Sequence, residues 1–477
     1  MTSPQDLVDQ ALSLSGADGC VVLVEEASEA NLRWANNTLT TNGSARSRSV
    51  TVVSVVGASV GSVTRQGATV GDLADLVAES EATARQSTPA EDAAPLVGAG
   101  SSSGDWSAPP AETSISVFGS FAPALGESFA RAGASKQLLY GFAHHQMASV
   151  YVGSSTGLRS RYDQPTGHTE INAKSADLAR SVWVGVPTAD FGDVDVPALH
   201  QELDRRLGWA ERRVDLSAGR YDTILPPSAV ADLMIYLYWS AEAKDAHEGR
   251  TVFSRPGGGT RVGERLSDQP LTLRSDAAQP GLECAPFVTA VQSGPGRSVF
   301  DNGSRLEPTA WISNGVLGAL VQTRYSAALT GLPFTPYVDN LVLESADAGG
   351  GVGGAGAAGG AAGAPGGVSD GADRLVAGVE RGLLLTCLWY IREVDPQTLL
   401  LTGLTRDGVY LVEGGEVTAA VNNFRFNESP VDLLARASGF GPTERTLPRE
   451  WCDYFTRTAM PAMRVPDFNM SSVSEAS

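Results

Sequence analysis

Five histidines in 477 residues leave little material for a metal site. They are His144, His145, His168, His200 and His247, and no H-E-x-x-H occurs among them. His247-Glu248 begins like one, but Thr251 and Val252 stand where a second histidine is needed. His144 and His145 are neighbours, so on a strand they face opposite sides and cannot share an ion. Cysteine is equally sparse. Cys20, Cys284, Cys387 and Cys452 are scattered and form no C-x-x-C pair, which suits a reduced compartment. There is no run of Lys and Arg. Asp and Glu outnumber them 54 to 35, for a net charge of -19, and such a surface repels a phosphate backbone. No apolar stretch approaches bilayer length; Leu233–Trp239 is flanked by Asp232 and Glu242. Met1–Leu12 has neither a basic segment nor an apolar one of the secretory kind, so the expected location is the cytoplasm, with no membrane role.

What is present reads as an α+β chain of more than one core. Ser3, Pro4 and Asp6 mark the start of a helix whose Leu7, Ala11 and Leu14 keep helical spacing. Strand signals follow at Cys20–Glu25, Asn31–Trp34, Val50–Val56 and Ala58–Thr64, then a helix over 71–85. Residues 88–110 are rich in Pro, Gly and Ser and read as a linker or loop. A helix over 121–132 and strands at 137–144, 148–152 and 158–162 come next. Over 197–213, Leu199, Leu203 and Leu207 line one helical face. The expected divisions are therefore 1–87, 88–110, 111–218 and 219–477. The N-terminal half mixes helix and strand, and the C-terminal part is mainly antiparallel sheet. Its first elements are a strand over 221–225 and a helix over 228–246. The run 348–367 is nearly all Gly and Ala and is expected to be a flexible insertion.

Nucleophile motifs lack their context. Gly153-Ser154-Ser155-Thr156-Gly157 and Gly100-Ser101-Ser102-Ser103-Gly104 fit G-x-S-x-G, yet one falls between strands and the other in the linker. Carboxylates such as Asp339, near expected turns, read as solvated surface. The residues alone supply no catalytic group.

Several segments, in order, resemble the TldD/PmbA family, also called the modulator of DNA gyrase family. They include Phe300-Asp301-Asn302-Gly303, then Ile312-Ser313-Asn314-Gly315-Val316-Leu317 and Arg324-Tyr325-Ser326-Ala327. Upstream stands Arg261-Val262-Gly263-Glu264-Arg265-Leu266. Downstream come Val409-Tyr410-Leu411-Val412-Glu413-Gly414, Asn422-Asn423-Phe424-Arg425-Phe426 and the closing Met460-Pro461-Ala462-Met463-Arg464-Val465. The resemblance implies a subunit of a two-component metallopeptidase acting on unfolded peptides. In the TldD branch a helix carries H-E-x-x-x-H for zinc, and a late cysteine completes the site. Here the matching positions read Leu237, Tyr238, Trp239, Ser240, Ala241 and Glu242. The resemblance therefore implies the TldE/PmbA-like branch, with no cofactor in this chain and zinc in a TldD-like partner. Two alternatives remain: an autonomous metallopeptidase with a non-standard site, for which His247 and Cys452 are the weak candidates, and a gyrase- or DNA-associated modulator.

Overall fold

Helix α1 (Pro4–Leu14) starts with a reciprocal cap. The Ser3 hydroxyl accepts from the Asp6 amide at 3.1 Å, and the Asp6 carboxylate accepts from the Ser3 amide. The structure is a computed structural model that describes residues 2–346, 370–406 and 408–474. The Gly/Ala run 348–367 lies outside the described residues.

Six strands follow α1 in the N-terminal half: β1 (Gly19–Ala35), β2 (Thr38–Val56), β3 (Ser59–Gln66), β4 (Gln137–Ser154), β5 (Arg159–Ser175) and β6 (Ser181–Thr188). They form one antiparallel sheet in the order β3-β2-β1-β4-β5-β6. The strands expected at 20–25 and 31–34 are one strand of 17 residues, and those at 137–144 and 148–152 are one of 18. The polar residues between them are not turns. Glu26 lies opposite Arg48, with their charges 2.5 Å apart, and Gln146 lies opposite Thr166. A partner strand satisfies this backbone, and local composition does not reveal the partner.

Alternation along each strand splits the residues between two faces. One face carries α1, α2 (Leu73–Gln86), α3 (Phe121–Ala134) and α4 (Val196–Trp209). Val22, Val24, Val50 and Val52 pack with Leu7, Leu73 and Leu76 on this side. Leu139, Ile171 and Val184 pack with Leu125, Leu199 and Leu203. The other face turns to the C-terminal half, where Val21, Val53 and Val152 meet Phe287, Val299 and Phe300.

The second sheet uses β7 (Arg213–Val214), β8 (Gly219–Leu225), β9 (Leu271–Ser275), β10 (Thr309–Ser313), β11 (Val316–Leu317) and β12 (Leu341–Ser345). It continues with β13 (Arg381–Leu385), β14 (Leu388–Asp395), β15 (Leu400–Thr405), β16 (Val409–Glu413) and β17 (Glu416–Val421). The last are β18 (Phe424–Glu428), β19 (Gly439–Thr446) and β20 (Thr458–Val473). Its main path is β11-β10-β9-β12-β20-β8-β13-β16-β17-β7, and β18 and β19 also pair with β20. Most pairs are antiparallel; β12–β20, β8–β13 and β17–β7 are parallel. The fold is α+β, as the sequence implies. Asn314 and Gly315 turn β10 into β11 with φ of 49° and 76°, the left-handed pair that a tight hairpin requires. A Cβ on Gly315 would lie 2.1 Å from the Ser267 carbonyl oxygen.

Helix α5 (Pro227–Trp239) is buried on almost every side, including Val230, Leu233, Met234, Leu237 and Tyr238. The expected helix over 228–246 is two. Ser240 ends α5, its hydroxyl donating to the Tyr236 carbonyl at 2.9 Å. Residues 241–243 then exchange backbone bonds with Val321, and α6 (Ala243–His247) follows. A tertiary strand-like pairing thus interrupts a segment whose apolar spacing is helical throughout. No described helix is long and apolar enough to cross a membrane.

Candidate functional site

The two halves enclose a cavity of about 470 Å³. Its floor follows from period two. His144, Gln146, Ala148 and Val150 of β4 stand opposite His168, Thr166, Gln164 and Tyr162 of β5, and all eight line it. His145 points the other way, its ring nitrogens 2.8 Å from the Thr113 hydroxyl and 2.7 Å from the Ala189 carbonyl oxygen. The adjacent histidines are separated as the strand geometry demands.

The opposite wall comes from the C-terminal half. Arg457 donates to Asp339 at 2.7 Å and also to the Thr166 hydroxyl, so one guanidinium joins the halves. Asp339 is therefore part of a lined cavity and not simply a solvated turn residue. The Arg297 guanidinium lies 4.7 Å from the Tyr337 ring centroid, and the Tyr337 hydroxyl accepts from the Trp239 indole at 2.9 Å.

Where His168 and Cys452 line the cavity, they come together with Glu170 behind them, donor atoms all within 4.8 Å of one another. His168 is 3% exposed, and neither ring nitrogen has a hydrogen-bond partner among the described residues. Burial holds its imidazole pKa below the ordinary value. Glu170 is held through Oε2, which accepts from the Trp183 indole at 2.7 Å and lies 3.4 Å from Arg449. Its Oε1 accepts from the Cys452 thiol at 3.5 Å. Burial, with the Glu170 charge beside it, pushes the Cys452 thiol well above its usual range. His247, at the end of α6, does not belong to this three-residue group.

The loop carrying Cys452 is fastened to α5. Asp232, fully buried on α5, accepts from the Glu450 amide at 2.9 Å, and its backbone carbonyl accepts from the Trp451 indole at 2.8 Å. Burial raises the Asp232 carboxyl well above its ordinary value.

The segment Leu237–Glu242 offers no nitrogen or sulfur side-chain donor suited to zinc. Leu237 and Tyr238 are 2% and 1% exposed. The Tyr238 hydroxyl accepts from the Val338 amide at 2.8 Å and donates to the Val338 carbonyl at 3.1 Å. Its ring stacks on Tyr337 with centroids 4.8 Å apart. This stretch does not fit a family-type zinc ion.

Glu242 is the one carboxylate there. Burial first, and Asp245 second, push its pKa up to about 7. The ionised form is therefore costlier in the fold than in the unfolded chain. Stability is complete below the unfolded value of 4.5 and declines as pH climbs to about 7. Glu242→Gln is expected to gain about 2 kcal/mol near pH 8 and nothing near pH 4. Thermal melts at both pH values test this; an equal gain at both would contradict it.

The sequence singles out Cys452 but not His168 or Glu170 as its companions. They stand two apart on β5, so they share a face. That signal emerges only once residues 159–175 are known to be one continuous strand.

The chain is thus an α+β protein with a lined cavity and a His-Glu-Cys group at the seam of its halves. Residues 218–472 match the family model described as the PmbA/TldA metallopeptidase C-terminal domain, and the chain belongs to this PmbA/TldD family. Among solved structures it is similar to TldE from Thermococcus kodakarensis, with a TM-score of 0.76 and 15% identity over 98% of this chain and 99% of that one. It is also similar to a Thermotoga maritima protein described as a candidate modulator of a DNA gyrase, at 0.74 and 14% over 98% and 99%. A Bacteroides thetaiotaomicron protein of the same description aligns at 0.71 and 15% over 99% and 100%. These identities establish shared fold. No curated protein matches the chain in sequence.

Proposed function

We propose that this chain is the TldE/PmbA-like, non-catalytic subunit of a two-subunit metallopeptidase that degrades or matures unfolded peptides in the cytoplasm. The observation that carries the reading is the core packing of Leu237 and Tyr238 where the TldD branch places its zinc ligands. A residue that stacks on Tyr337 and bonds both backbone groups of Val338 is part of the interior, not a vestigial ligand. Zinc and the general base then belong to a TldD-like partner in a heterodimer. Peptide capture by strand addition needs only main-chain bonds and shows little sequence preference. The short edge strand β3 pairs on one side alone among the described strands and offers such bonds. Direct contact with DNA is disfavoured by the net charge of -19.

The test is reconstitution with a family member carrying an intact H-E-x-x-x-H. This chain alone should leave an unfolded peptide uncut, whereas the mixture should cleave it in a chelator-sensitive manner and elute as one complex. Chelator-sensitive cleavage by this chain alone, or a mixture that never associates, would defeat the proposal.

A further inference from the structure

We infer that His168, Glu170 and Cys452 form a binding site for one divalent metal ion of the zinc class, clamping the N-terminal sheet to the C-terminal half. This goes beyond the subunit role proposed above and does not depend on it, since none of the three residues lies on α5.

The donor set is the first argument. An imidazole, a carboxylate and a thiolate are the side chains that borderline divalent ions such as zinc select. The second is proximity. Donor atoms on a tetrahedral zinc ion sit about 3.3–3.8 Å apart, given bond lengths of about 2.0–2.3 Å. The three here already lie within 4.8 Å of one another, so binding asks for a further contraction of only about 1 Å.

The third argument is independent of the cluster. Buried polar atoms are almost always hydrogen-bonded. His168 is 3% exposed, yet both of its ring nitrogens lack a partner among the described residues. A buried imidazole with both nitrogens unpartnered beside a thiol and a carboxylate is what a cation would satisfy.

Glu170 is already oriented for the task. Trp183 and Arg449 hold Oε2, while among the described residues Oε1 accepts only from the Cys452 thiol, so loss of that thiol proton on metal binding frees Oε1 for the ion. Outer hydrogen bonds of this kind fix a ligating carboxylate. The Arg449 guanidinium opposes a cation, but Glu170, the thiolate formed on binding and Asp453, which acts on both Cys452 and His168, outnumber it with three negative charges. His168 and Cys452 line the cavity, so a fourth ligand such as water has access. Binding is a balanced exchange: the sulfur–metal bond forms as the S–H bond breaks, and the proton leaves to solvent through the cavity. The two ligands on β5 and the third on the loop before β20 make the ion a cross-link between the halves.

The test uses the full chain, stripped with a chelator and titrated with Co²⁺, then Zn²⁺. Expected is one Co²⁺ per chain with a thiolate-to-cobalt charge-transfer band, displaced by Zn²⁺. Cys452→Ser should abolish the band, and His168→Gln should weaken binding by at least about tenfold, the scale seen when even a supporting group is lost. Zn²⁺ should raise the melting temperature of the unaltered chain but not of Cys452→Ser. No thiolate band in the unaltered chain, or a band that survives Cys452→Ser, would overturn the site. Should the metal-loaded chain cleave peptide unaided, the subunit proposal would fall while this site stood.

Discussion

Tyr238→Ala is expected to cost about 4 kcal/mol of stability, and Tyr238→Phe about 1–2 kcal/mol. The first figure joins two losses. A fully buried ring leaves a cavity against Trp311, Tyr337 and Phe455. The hydroxyl that bonds both the amide and the carbonyl of Val338 also vanishes. The phenylalanine variant keeps the ring and loses only the second, leaving two buried backbone groups unpaired. Urea titration of both variants measures the difference. If Tyr238→Ala unfolded at the same urea concentration as the parent, this helix face would not be core, and the case for a silent subunit would lose its support.

Glu202→Ala should be destabilising by about 3–5 kcal/mol. Glu202 and Arg206 pair on α4 at 2.6 Å, with side chains 5% and 6% exposed. Arg205 adds a second bond to the same carboxylate at 2.7 Å. Removing the carboxylate strands the Arg206 charge in the interior. That charge also donates to the Trp183 carbonyl at 2.5 Å, on the strand whose indole holds Glu170. Replacing both residues, as in Glu202→Leu with Arg206→Met, should recover much of the loss, because no unpaired charge remains. The double-mutant cycle, followed by denaturant titration, decides the matter. A single variant no worse than the double would show that the pair carries no such penalty.

Much of the local structure was legible. The cap of α1, the hairpin at Gly153–Gly157 and the turn at Asn314-Gly315 follow from short-range chemistry: a hydroxyl three residues before a carboxylate, or glycine where φ must be positive. Longer elements were not legible in full. β1 and β4 carry polar residues in mid-strand that resemble breaks, and only the neighbouring strand shows they are not. The break at Ser240 is similar, since the pairing of residues 241–243 with Val321 crosses some eighty positions of chain.

The candidate site divides in the same way. Sequence alone determined the absence of a histidine pair at helical spacing, the apolar character of Leu237 and Tyr238, and the acidic surface, because each depends only on which residues are present and how far apart they stand. The tertiary structure decided that His168 and Glu170 share a strand face and that Cys452, more than 280 positions away, meets them. Such a meeting depends on how two sheets pack, and packing is set by the summed burial of many side chains, not by any spacing written along the chain.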